Sequence, residues 1–161
     1  MPKIVYKGYK DAYPRKRKEV ENALSESNLE RFLGNSLEKV SKIVVTFTGP
    51  TEKEEAQEFF NNGFSNLYCK ETETVNLVID KYFWFSPSIW IWHELMHVNQ
   101  IIERRFFYKD VGLGNKALYG KTKYSLKWYE DKGPESVWEL DAWENLERLL
   151  GKSISPVIKG V

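Results

Sequence analysis

Two scarcities shape the reading of this chain. A single cysteine, Cys69, excludes an intramolecular disulfide and any cysteine-rich zinc site, which fits a reducing compartment. Only two histidines occur in 161 residues, so a metal site built here has at most two imidazole ligands. Net charge is almost absent: 24 basic and 23 acidic residues leave +1, a balance that gives no reason to expect nucleic acid as the main partner. Long apolar runs are also missing. The most apolar segment, Tyr82 to Trp92, is interrupted by Ser86-Pro87-Ser88 and is too short to span a bilayer, and residues 1–10 lack the apolar stretch of a signal peptide. The expectation is a soluble, cytoplasmic protein with no membrane partner; oligomeric state is not legible.

What is present suits a single domain over residues 1–161. A hydrophobic content of 42% is ordinary for a globular chain long enough to bury a real core. Six Trp, nine Tyr and nine Phe make the chain rich in rings, most of which should serve packing.

Taken in order, residues 3–9 read as a short strand or an extended arm. Arg15-Lys16-Arg17-Lys18 opens a stretch with apolar residues at Val20, Ala23, Leu24, Leu29, Phe32, Leu33, Leu37 and Val40, which predicts one or two helices with the basic run on a solvated face. Lys42 to Phe47 is β-branched and reads as a strand. Thr51 with Glu54 is a capping-box pattern for a helix reaching about Phe60 and stopping at Asn61-Asn62-Gly63. Phe64–Cys69 and Thr72–Asp80 read as further strands. Ser86 and Pro87 supply an N-cap and an N1 proline for a helix over about 87–107, whose Ile91, Leu95, Val98 and Ile102 face inward and leave the histidines along a neighbouring edge. Glycines at 112, 114 and 120 among several lysines predict a loop or hairpin, and a last helix spans about 135–150, stopped by Gly151.

The chemistry sits in His93-Glu94-Leu95-Met96-His97. Residues four apart share one helical face, so His93 and His97 can direct their rings at one metal ion with Glu94 beside its open position. Two histidines placed at random would give this spacing, with Glu after the first, roughly once in a thousand chains of average composition. Because no third histidine exists, the third ligand should be a carboxylate, which zinc accepts. Helix 135–150 offers Glu135, Glu139, Asp141, Glu144 and Glu147; Glu139 is favoured, with Glu135 and Glu144 as alternatives. Glu135 and Glu139 share a face, so one can bind metal while the other holds a ligand histidine. Ala142, in Glu139-Leu140-Asp141-Ala142, is a small residue where two helices can approach closely.

His93-Glu94-Leu95-Met96-His97-Val98-Asn99-Gln100, followed by Glu139-Leu140-Asp141-Ala142, resembles the gluzincin branch of the zincin metallopeptidases, over about residues 75–150. The likeness is greatest to small members with a His-Glu-Leu-x-His-Val-x-Gln helix and a later Glu-x-Glu-Ala or Glu-x-Asp-Ala helix. It implies an α+β, zincin-like fold: a small, mostly antiparallel sheet with an active-site helix (about 87–107) and a glutamate helix (about 135–150). In that superfamily a strand ahead of the motif helix aligns the substrate. It further implies a zinc ion held by His93, His97 and Glu139, with Glu94 taking a proton from water as it attacks an amide of a protein or peptide substrate and passing it to the leaving amine. A phenol near the oxyanion is expected from Tyr119, Tyr124 or Tyr129. One departure stands out: Trp143 occupies the place four residues after Glu139 where thermolysin-like gluzincins carry Asp. The alternative to a peptidase is a catalytically silent zinc-binding interaction module of the same fold, for which Glu94 would have no use. A nucleic-acid binder using the basic run at 15–18 is the weakest reading.

Overall fold

The computed structural model describes residues 1–8, 14–47, 67–79, 87–111, 114–119, 122–125, 136–156 and 158–159. The β-branched run Ile43-Val44-Val45 favours a pleated, buried strand, and β2 (Lys42–Phe47) is interior to the main sheet. The amino-terminal segment is a strand rather than an arm: β1 (Lys3–Gly8) pairs in parallel with β2, from Lys3↔Lys42 to Gly8↔Phe47. β2 pairs in parallel on its other side with Thr74–Ile79. That strand, β4, takes the short β3 (Tyr68–Cys69) antiparallel on its far edge, giving the order β1-β2-β4-β3.

The four-stranded sheet is therefore mixed, and its three long strands are parallel, which corrects the expectation of a mostly antiparallel sheet. The reason lies in the connections. Parallel neighbours need a crossover rather than a hairpin, and β1 reaches β2 through α1 (Pro14–Ala23), α2 (Glu26–Leu33) and a 3-10 turn (Gly34–Lys39). Ser25 caps α2 by accepting from the Asn28 N–H. The expected capping-box helix between β2 and β4 lies outside the described residues, as does Ser86. Antiparallel pairing dominates the second sheet, a meander of β5 (Phe106–Val111), β6 (Gly114–Tyr119) and β7 (Thr122–Ser125), where sequence predicts a loop or hairpin.

Alternate residues of the main sheet, Ile43, Val45 and Phe47 with Val75, Leu77 and Ile79, face one way, as a period of two requires. They join Val20, Leu24, Leu29 and Phe32 of the first helical layer and Ile91, Leu95 and Val98 of α3 (Pro87–Ile102) in one cluster. Complete burial of each such side chain contributes about 1.5–3 kcal/mol. Polar clamps fix α3 against that layer: the Trp92 indole N–H donates to the Ala23 carbonyl at 3.0 Å, and the Asn99 amide donates to the Phe32 carbonyl at 2.7 Å.

The motif helix ends at Ile102, with the last residue of its apolar pattern and about five residues short of the expected 107. Arg104 takes a left-handed conformation (φ 58°), its N–H returns to the Ile101 carbonyl, and the Arg105 N–H reaches the Gln100 carbonyl at 2.8 Å. This pair of bonds is a Schellman stop built on arginine instead of glycine. The last helix, α4 (Val137–Leu150), starts after Ser136 and ends at Gly151 (φ 70°), whose N–H caps the Glu147 carbonyl. Its Trp138, Ala142, Trp143 and Leu146 are buried. Among the described residues no helix is long and apolar enough to cross a membrane.

Candidate metal centre

The histidines do not lie on an open edge of α3. His97 is fully buried and His93 only 6% exposed, because α4 covers the side of α3 that the core leaves free. Trp143 lies flat on His93, with ring centroids 3.9 Å apart and planes 10° apart, and His97 meets His93 edge-on at 4.6 Å. The residue in the departing position is thus a wall that sets the plane of the His93 ring.

Glu139, in the first turn of α4, aims its carboxylate at both rings. One oxygen, Oε2, is 2.9 Å from His93 Nε2, and the other, Oε1, is 3.0 Å from His97 Nε2. Two ring nitrogens and a carboxylate thus converge on one buried place. Two imidazole nitrogens and a carboxylate oxygen form a set that a borderline divalent ion accepts. Donor atoms of His93, Glu94 and His97 also fall within 4.8 Å of one another. Glu94, however, stands against the opposite nitrogen of His93, 3.6 Å from Nδ1. Glu139 is the better candidate for a third ligand because it meets the Nε2 atom of both histidines at once, which leaves Glu94 beside the set.

Electrostatics follow from this packing. Burial pulls His93 down, but Glu139 and Glu94 outweigh it and lift the group from 6.5 to about 9. Burial pushes Glu139 up, and the facing histidines, His97 first, outweigh that and hold it well below the usual carboxylate range. A divalent cation held by these groups would take over the neutralising role of a proton on the imidazole.

The other candidates fall elsewhere. Glu144 is exposed, Glu147 pairs with Lys159, and Glu135 lies outside the described residues. Tyr119 ends β6 and Tyr124 lies on β7 opposite Ala117, both placed by backbone alone, and Tyr129 is outside the described residues. The strand ahead of α3, β4, is interior: Thr74 and Val75 pair with β2 on one side and β3 on the other, so over those residues it has no free edge for a substrate backbone.

The sequence gives no role to Gln100 and offers Asp141 only as one of five acids on the last helix. Gln100 is fully buried and bonded to His97, and Asp141 bonds Gln100 from α4. Gln100 stands three residues after His97, on the same side of the helix, and that spacing was the available signal. No family model, curated protein or solved structure matches the chain.

Proposed function

We propose that this protein is a zinc-dependent metallopeptidase of the gluzincin type, with a zincin-like core formed by α3 and α4. His93, His97 and Glu139 hold the metal. What carries the reading is that the two oxygens of Glu139, some forty residues downstream, approach the Nε2 atoms of both motif histidines. When bound, zinc supplies the Lewis acidity that makes water nucleophilic near neutral pH and polarises an amide carbonyl.

The chain's own residues do the rest. Glu94, a side chain 18% exposed beside the ligand set, accepts the proton of the attacking water and returns it to the departing amine nitrogen. Trp143 keeps His93 in plane. The substrate is a protein or peptide with an accessible, extended segment, since a chain of 161 residues has little room for an elaborate cleft.

Glu94 separates a peptidase from a silent zinc-binding module, because metal binding alone needs the ligands and not the base. Glu94→Gln should retain zinc and lose hydrolysis of an unstructured, fluorogenic protein substrate by about 100-fold or more. Hydrolysis at the wild-type rate would remove Glu94 as the base. A wild type that holds zinc and cleaves nothing would favour the silent module.

A further inference from the structure

Gln100 makes three hydrogen bonds whose directions leave no freedom. Its Nε2 lies 2.8 Å from the Trp138 carbonyl and 2.8 Å from Asp141 Oδ2. Both partners are acceptors only, so the nitrogen of the amide must face them and both its protons are used. Its Oε1 then faces His97 Nδ1 at 2.8 Å. That oxygen is also an acceptor only, and the reverse arrangement would set lone pair against lone pair in a fully buried site. Nδ1 of His97 therefore carries a proton, and Nε2, the atom that faces Glu139, is the one left to ligate a metal.

Asp141 is fixed in turn. The same Oδ2 accepts from Arg105 Nη1 at 2.8 Å, and Arg105 Nε donates to Glu103 at 2.7 Å. Arg105 is the residue whose N–H closes the Schellman stop of α3. The chain of contacts thus runs from the end of α3 through Asp141 of α4 and back to Gln100 and His97. We infer that Gln100 and Asp141 are positioning residues for His97, so that α4 delivers both a ligand, Glu139, and the support for a ligand on the facing helix. This deepens the metal-site reading and rests on it, but it does not depend on peptidase activity.

The test measures zinc affinity by competition with a chromogenic chelator, and the His97 ring nitrogens by 15N NMR of the zinc-free protein. Gln100→Met keeps the volume and removes every hydrogen bond; it should weaken zinc binding roughly 10–100-fold. Asp141→Leu should weaken it roughly tenfold, and Asp141→Asn, which keeps an acceptor for Gln100, should recover most of that loss. In the zinc-free wild type, Nδ1 of His97 should be protonated, and Gln100→Met should shift protonation toward Nε2.

Should Gln100→Met fail to fold, the Asn and Leu variants at Asp141 and the wild-type spectrum still decide. A folded Gln100→Met protein with wild-type zinc affinity, equal losses in the two Asp141 variants, or an unprotonated Nδ1 in the wild type would overturn the inference. A wild type that binds no zinc would instead overturn the ligand assignment, while the spectrum still reports on the relay.

Discussion

Removing the metal should make the stability of this protein depend on pH in one particular window. His93 is held at about 9 against an ordinary value of 6.5. Between those values the zinc-free fold keeps a proton that the unfolded chain has released, so stability falls as pH rises. The contribution is complete below pH 6.5, declines by about 1.4 kcal/mol per pH unit and is gone above about 9, a total of about 3 kcal/mol counted once for the histidine–carboxylate pair. Glu139 has the opposite sign: its contribution is present above about pH 4.5 and is lost as pH falls. The zinc-free protein should therefore be most stable between about pH 4.5 and 6.5. Urea denaturation in the presence of a chelator, from pH 6 to 9.5, measures the slope directly. Thermal midpoints should fall by roughly 6–12 °C across the window, whereas zinc-loaded protein should not show this fall, because metal replaces the proton. Glu139→Gln should flatten the slope to the smaller share supplied by Glu94. A zinc-free protein of constant stability from pH 6.5 to 9, or an unchanged slope in Glu139→Gln, would refute the reasoning.

Two further outcomes follow from local packing. Arg104→Gly should raise stability by up to about 1 kcal/mol, or roughly 2–4 °C in the thermal midpoint, because the exposed arginine occupies a left-handed backbone position that glycine takes without strain; a lower midpoint would refute that account of the helix stop. Trp143→Ala should cost about 3–5 kcal/mol in chemical denaturation, since it removes a buried ring stacked on His93, and a cost under about 1 kcal/mol would show that the ring's contacts matter little there.

The part of this site that is local in sequence was legible, and the part made by long-range packing was not. Four-residue spacing on a helix brings His93 and His97 together whatever surrounds them, and the histidine count points to a carboxylate. Choosing among Glu135, Glu139 and Glu144 needs the register of α4 against α3, which depends on how Trp138, Ala142 and Trp143 pack. Gln100 was in view within the motif stretch, yet its role appears only when Asp141 and the Trp138 carbonyl stand beside it. The strand over Lys42–Phe47 was readable from β-branching, but the direction of its neighbours depends on connections, and the one from β1 is a helical crossover. Helix α3 ends short of the expected 107 because the chain turns at Arg104, where no glycine marks the stop in the sequence.

Metal content, measured by inductively coupled plasma mass spectrometry on wild type and Glu139→Ala after extended dialysis, tests the central claim most directly. The wild type should hold about one zinc per chain and the variant little or none, because in the proposed site it is Glu139 that joins α4 to the histidines of α3. A wild type free of metal after zinc reconstitution and dialysis, or a Glu139→Ala protein holding as much zinc as the wild type, would contradict it.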